Sequence, residues 1–381
     1  MSVASAQRDS IRQNFLTESA WYRVSSPLFS AVAQAAAADD DIIDLVSEAR
    51  PGQSQSVLLF CIVHYLLLKT PELRLSRYFQ SLTASPEPAA RAFPAFKEYC
   101  LQRRTEVTEL LSWRTVNTNL AEKTSCLVPA LRHVEKLSDA PLTLLELCCS
   151  AGLNMLFDEY HHDYGAGCRL GVASSPVQLK CKIVGPNRPP LSMPTIGERV
   201  GIDLVKVNVA DPLERLWMEA VLFPEWMSER ERLKAALSIR TQRDLRIIEG
   251  DALKVVEPLL EQLPGRLCVL MSYCIGHWSL PARRALDDLF RRVGRHRPIH
   301  RLDVDPPDSE SPQTARTRLS RLAQAGIPVL KKKSAFRLDH TVYSGGTAHS
   351  QLLGEGDVFG EWLDWHIPEA EQQLIRLADN G

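Results

Sequence analysis

Over the first 138 or so residues, apolar positions recur every three or four residues, the spacing of one face of a helix. Ile11 to Tyr22 carries that spacing. Pro27 opens an alanine-rich stretch ending at Asp40, again a strong helix former. Gln55 to Lys69 is apolar nearly all round, which predicts a buried helix. Pro94 to Trp113 reads as one long amphipathic helix and Thr124 to Leu137 as another, with a loop over Ala84 to Pro88. No strand and no internal repeat is visible in this part. It reads as a helical domain, either a packing bundle or a cap on the substrate side.

The pattern changes after Pro141. The run TLLELCCS is short, apolar and ended by small residues, as a buried parallel strand should be. Leu153, Leu156, Phe157 and Tyr160 then return to helical spacing. Cys168 to Pro194 is rich in Gly, Ser and Pro and predicts an inserted β-hairpin. Strands follow at ERVGIDLVKV, LRIIEGD, RLCVLMSYC and PIHRLDVD. Between them lie helices over Pro212 to Phe223, Glu225 to Ile239, Ala252 to Leu263 and Pro281 to Val293. A polar loop through Pro312 and a helix to Ala325 come next. Two β segments, IPVLKKKSAFRLDHTVY and SQLLGE, and a terminal helix from Phe359 to Ala378, anchored by Trp362 and Trp365, close the chain.

Strands alternating with helices predict a doubly wound α/β sheet. Five such strands followed by a hairpin resemble the seven-stranded Rossmann-like sheet of class I methyltransferases. The expected division is therefore a helical domain over 1–138 and a methyltransferase-like domain over 139–381, with the hairpin at 168–194 covering the pocket.

Composition narrows the function. The formal net charge of the 381 residues is -1, which gives no support for a nucleic-acid partner. No apolar run approaches the length of a membrane span. The first residues lack an apolar signal core, and nine cysteines at irregular spacing fit reduced thiols. A cytoplasmic protein is expected, with a homodimer left open.

The candidate chemistry lies at strand ends. Glu146, Cys148, Ser150, Gly152 and Asn154 surround the first strand-to-helix turn, where a doubly wound sheet binds its ligand. Small residues there let a cofactor approach the backbone, and a helix N-terminus would offer free N–H groups. Glu146 could order the turn or meet a ligand amino group. Asp203 stands where Rossmann proteins bind ribose hydroxyls, or is a solvated strand-end carboxylate. Gly250, Asp251 and Ala252 follow the third strand. Asp251 can accept from an adenine amine, cap the next helix, or do both.

After the fourth strand, Ser272, Tyr273, His277 and Trp278 would stand at the reacting end. His277 is a possible general base, and the aromatic rings a wall for a sulfonium. The same residues equally suit surface and packing roles. His161, His162, Asp163 and the cysteines lack paired metal-ligand spacing, so no metal is expected. Cys148 and Cys149 read as small buried side chains, with a nucleophilic Cys148 left open. Lys331, Lys332 and Lys333 read as a solvated strand edge.

At these motifs the sequence resembles the bacterial family known as domain of unknown function 2332. The likeness rests on Ser26-Pro27-Leu28, His64-Tyr65-Leu66, Arg114 to Asn119, Pro129-Ala130-Leu131 and Ser150 to Asn154. It extends through Asp158, Tyr160, Tyr164, Asp203, Asp211, Trp217, Pro224-Glu225, Arg232-Leu233, Gly250-Asp251 and Pro281-Ala282-Arg283. The resemblance implies a Rossmann methyltransferase-like fold. It also implies that Asn117, Thr118 and Asn119 face the cofactor site and, with Tyr164 and Trp278, line the substrate side.

Four departures from the family pattern stand out. Cys148 replaces a glycine, Leu120 a glutamate and Ser272 a histidine, and Val205 to Asn208 replaces an Asn-Pro-Leu-Asp pattern. The expected function is methyl transfer from S-adenosylmethionine to an O, N or S atom of a small molecule, as in small-molecule biosynthesis. The alternatives are another nucleotide or reaction on the same fold, or a non-catalytic binding role.

Overall fold

The computed structural model describes residues 3–49, 54–137, 140–306 and 335–368, together with residues 324 and 326. Helices occupy α1 (Val3–Tyr22), α2 (Pro27–Ala36), α3 (Asp40–Val46), α4 (Gln55–Lys69), α5 (Leu73–Ser76), α6 (Phe93–Gln102), α7 (Arg104–Trp113) and α8 (Thr124–Glu135). The first strands are β1 (Leu142–Leu147), β2 (His161–Asp163), β3 (Arg169–Gly171), β4 (Gln178–Lys180), β5 (Lys182–Val184) and β6 (Ile196–Asp203). Then come α9 (Pro212–Ala220), α10 (Met227–Thr241), β7 (Arg246–Glu249), α11 (Ala252–Gln262), β8 (Arg266–Ser272) and α12 (Leu280–Val293). The described chain ends with β9 (Ile299–Asp305), β10 (Ala335–Ser344), β11 (Thr347–Asp357) and β12 (Trp362–Trp365).

The chain forms two compact units, residues 1–119 with 209–234, and residues 120–208 with 235–381. The division differs from a single cut after residue 138. α8 packs on β8 and so belongs with the sheet, whereas α9 packs on α4 and so belongs with the helices.

Every regular element described in the first unit is a helix. Ser26 caps α2 by accepting from the Phe29 amide at 3.2 Å, and Pro27 supplies the first helical residue, where a missing N–H costs nothing. α4 is buried from Leu58 to Leu67, as its apolar surround predicts. Its Phe60 stacks on Phe29 at 4.8 Å. The 209–234 segment docks through Trp217, whose Nε1 donates to the Thr115 carbonyl at 3.1 Å. The expected single helix over Pro94 to Trp113 breaks at Arg103, whose ψ of 25° is not helical.

The second unit is an α/β fold on a large mixed sheet. Nine strands run in the order β5-β12-β11-β10-β9-β8-β1-β6-β7, rather than the seven expected. β7, β6, β1, β8 and β9 are parallel, and β10, β11 and β12 extend the sheet antiparallel. β1 is buried along its whole length, in keeping with helices on both faces of a parallel strand. Gly345 and Gly346, at φ 58° and 81°, make the two-residue turn between β10 and β11, which needs the left-handed region at both positions.

Two other expectations are corrected. The segment 168–194 is not a hairpin: its β3 and β4 flank β2 in a three-stranded sheet, and its β5 pairs parallel with β12 at the edge of the main sheet. The start of the expected terminal helix is strand β12, where Trp362 and Trp365 are wholly buried. The expected helix to Ala325, Lys331 to Lys333 and the chain beyond Pro368 lie outside the described residues. No helix among the described residues is long and apolar enough to cross a membrane.

Candidate functional site

Strand order reverses between β1 and β8. From β1 the chain steps to β6 and β7 on one side, and β8 and β9 lie on the other. The crevice outside the carboxyl ends of strands at such a point is where open α/β sheets take ligands. Most of the predicted residues of the second unit gather here.

Glu146 is 2% exposed near the end of β1. Its Oε1 accepts from Asn154 Nδ2 at 2.6 Å. Glu146 Oε2 and Asn154 Oδ1 are buried and have no hydrogen-bond partner. Burial pushes the Glu146 carboxyl up to about 7, although the Asn154 bond and the Lys123 ammonium pull it down. A buried acceptor without a donor costs free energy comparable to the hydrogen bond it lacks.

The turn after β1 uses the left-handed region repeatedly, at Cys148 (φ 57°), Ser150 (φ 51°) and Gly152 (φ 77°). At Gly152 a Cβ would also stand 2.8 Å from Met155 Cε, so a side chain there would have to hold a left-handed backbone and move the methionine end. The Ser150 amide donates to Asp203 Oδ2 at 2.7 Å, which ties the turn to the end of β6. The Gly250 amide donates to the Asp203 carbonyl at 2.8 Å and brings in the end of β7. Burial raises the Asp203 carboxyl, and backbone amides, that of Ser150 first, hold it down.

The α-helix expected after this turn is a seven-residue 3₁₀ segment, Leu153–Glu159, kinked at Leu156. The Ser150 amide, one of the N–H groups expected for a ligand, is already bonded to Asp203, and the segment is too short to build a helix-sized dipole. Asp251 is the N-cap of α11, its Oδ1 accepting from the Leu253 amide at 3.1 Å, and Ala252 begins that helix.

On the other side of the reversal, Ser272 Oγ is buried without a hydrogen-bond partner. Tyr273 takes φ 53°, and its amide extends the β8–β9 pairing by donating to the Val304 carbonyl at 2.8 Å. His277 ends a short 3₁₀ turn, Ile275–His277, and Trp278 packs beside Cys274 against the core under α11 and α12. Tyr164 is buried elsewhere in the unit, and its hydroxyl donates to the Ser125 carbonyl at 2.7 Å. Asn117, Thr118 and Asn119 lie in the helical unit, after α7, with Asn119 buried and the other two exposed.

Cys148 and Cys274 are joined by a disulfide with Cα atoms 5.9 Å apart, which corrects the expectation that all the cysteines are free thiols. The strand reversal causes this, because it sets the ends of β1 and β8 side by side although 126 residues separate the two cysteines. The other described cysteines carry no disulfide.

Several residues at this end of the sheet have no counterpart in the sequence reading. Lys123 is buried, with its ammonium 5.5 Å from the Tyr273 ring centroid and Glu146, Glu122 and Asp305 as the surrounding carboxylates. Burial lowers its pKa and the carboxylates raise it. Glu122 and Asp357 are also buried. The visible signal was a Glu-Lys pair set directly before the apolar run of α8. Among the described residues no group of three or more His, Cys, Asp or Glu is placed to hold a metal ion. His162 instead bonds the Phe157 carbonyl at 2.7 Å and Ser125 Oγ at 3.0 Å.

No curated protein matches the sequence significantly. Solved structures similar to the chain include DesVI of Streptomyces venezuelae, at 12% identity and TM-score 0.22, covering 68% of this chain and 82% of that one. The plantazolicin methyltransferase BamL, solved with a triazolic desmethylPZN analog and SAH, is similar at 11% and TM-score 0.24, covering 68% and 66%. The sugar N-methyltransferase KedS8 of Streptoalloteichus sp. is similar at 12% and TM-score 0.23, covering 68% and 79%. At such scores the fold rests on the strand order described above. The family described as "Uncharacterized protein conserved in bacteria (DUF2332)" matches residues 12–365, nearly the whole chain, and the protein belongs to that family.

Proposed function

We propose that the crevice at β1 and β8 binds S-adenosylmethionine and that the protein transfers its methyl group to a small-molecule acceptor. The observation that carries this reading is the pair of buried, unpartnered acceptors, Glu146 Oε2 and Asn154 Oδ1, at the strand reversal. Buried acceptors on two hydrogen-bonded side chains suit an ammonium or amine donor, such as the amino group of the cofactor. The charge of the crevice supports a cationic cofactor over a pyrophosphate. Glu146 and Asp203 are carboxylates, and the Ser150 amide that could have met a phosphate is bonded to Asp203. A dinucleotide would place its phosphates against them, an unfavourable like-charge contact.

In this reading Glu146 and Asn154 hold the amino group, Asp203 accepts from the ribose hydroxyls, and Gly250, Asp251 and Ala252 border the adenine. The second Asp251 oxygen, beyond the one that caps α11, lies 3.9 Å from the exposed Lys254 ammonium. Cys148, Ser150 and Gly152 form the floor over which the cofactor lies. The bound sulfonium supplies an electrophilic methyl group, whose transfer depends on alignment and proximity. Ser272 and Tyr273 border the acceptor, next to the turn that carries His277 and Trp278; Tyr273 and Lys123 order that side by their ring-to-ammonium contact.

Calorimetric titration with S-adenosylmethionine and S-adenosylhomocysteine, with NAD and ATP as controls, tests the proposal. Binding of the first two alone, with dissociation constants on the order of micromolar, is the expected outcome. Preferential binding of NAD or ATP would replace the reading.

A further inference from the structure

We propose that Cys148 and Cys274 are a reversible thiol–disulfide couple that locks and releases the two turns of the ligand crevice, with small thiols and their disulfides as co-substrates. The pair closes the reversal point itself. Regular pairing of β1 with β8 ends at Leu147 and Met271, and the disulfide joins the chain just beyond each strand. A Cα separation of 5.9 Å suits an ordinary crosslink.

The backbone gives an independent reason. Non-glycine residues with positive φ among the described residues are Cys148, Ser150, Ala166 and Tyr273, so all but Ala166 lie in these two turns. Such conformations persist only where their surroundings hold them. Only glycine enters the left-handed region without cost. A cysteine there works against the backbone, and the bond from its sulfur to the opposite turn offsets that.

The two sulfurs differ in access. Cys148 is partly exposed, whereas Cys274 is 1% exposed and packed in the core under α11 and α12. An incoming thiolate therefore attacks Cys148 Sγ. The sulfur–sulfur bond breaks, and Cys274 leaves as a thiolate and takes up a proton. A second small thiolate attacks the outer sulfur of the mixed disulfide, freeing Cys148 and releasing the small disulfide. Two electrons pass from two thiols to the protein, and a small disulfide reverses the sequence. The crevice is the one assigned above to the cofactor, so any effect on that ligand rests on that assignment, while the couple itself does not.

The test uses the full chain, equilibrated in glutathione buffers of graded oxidised-to-reduced ratio. Thiols are trapped with iodoacetamide and mapped by mass spectrometry, and backbone hydrogen exchange is followed at residues 148–154 and 272–278. Cys148 and Cys274 are expected to become alkylated together, with exchange in both turns faster by about tenfold or more and α4 unchanged. Alkylation only after denaturation, or turn exchange that ignores the buffer, would overturn the proposal. Cys274→Ser should exchange rapidly in every buffer, and slow exchange in it would also overturn the lock. Cys148→Ser serves the same comparison should the first variant fail to fold. S-adenosylhomocysteine separates the two ideas. If neither form binds it while the turns still respond to the buffer, the cofactor reading falls and the couple stands.

Discussion

The helical unit and the α/β unit each bury an ionisable side chain, and the two are finished differently. In the helical unit, His64 Nδ1 donates to the Ala220 carbonyl at 3.0 Å, while Nε2 lies 2.8 Å from Ser81 Oγ and 3.2 Å from Arg230 Nη2. Both ring nitrogens are answered within the fold, and burial holds the imidazole neutral, down to about 3. In the α/β unit, Glu146 has one oxygen answered and one not. A buried polar group whose partners are all internal is architecture. One whose partner is missing, at the strand reversal of a doubly wound sheet, points to a ligand.

The largest expected effect comes from breaking the finished site. His64→Ala should cost about 3 kcal/mol by chemical denaturation, because it opens a cavity and strips the Arg230 and Ala220 groups of a buried partner. A cost below about 1 kcal/mol would mean that His64 is no more built in than Glu146.

Glu146→Gln should behave in the opposite way. It keeps an oxygen for Asn154, so stability at neutral pH should hold or rise, while affinity for S-adenosylhomocysteine should fall about tenfold or more, roughly 1.4 kcal/mol. The pH dependence sharpens the contrast. The Glu146 carboxyl is raised in the folded protein from 4.5 to about 7, so its contribution is present below 4.5 and is lost as pH rises to about 7. Stability of Glu146→Gln relative to the parent should therefore climb across that window. His64 is lowered from 6.5 to about 3, so its contribution is present above 6.5 and is lost as pH falls toward 3. His133, His162, His300 and His340 shift the same way as His64, so replacing His64 by Gln should flatten only part of the acid limb.

Gly152→Ala should destabilise by about 1 to 2 kcal/mol, since alanine must take a left-handed backbone and displace Met155. Asp251→Ala should cost about 1 kcal/mol through the lost cap of α11, with weaker cofactor binding as its second effect. A stability loss in Asp251→Ala with unchanged affinity would confine that residue to capping.

The five parallel strands were legible because each is an apolar run between helical stretches, and the Glu146 turn followed from the small residues after β1. Other features were set by tertiary partners. Trp362 to Trp365 reads equally as helix or strand over so short a span, and only pairing with β11 and β5 decides it. The stretch after Gly152 has helical spacing, yet the chain turns into β2 after seven residues. Gly345-Gly346 was a hairpin signal in plain sight between two β segments. Lys123 could not be placed from its neighbours in sequence, because what defines it is Tyr273 and three carboxylates from other elements and from its own turn. The disulfide likewise depends on strand order, which periodicity does not encode.

The most direct test of the central claim is a paired calorimetric titration of the parent protein and Glu146→Gln with S-adenosylhomocysteine. The account predicts binding on the order of micromolar in the parent and a loss of about tenfold or more in a variant that remains as stable. Equal affinity in the two proteins, or binding in neither, would contradict the assignment of the Glu146 crevice to the cofactor.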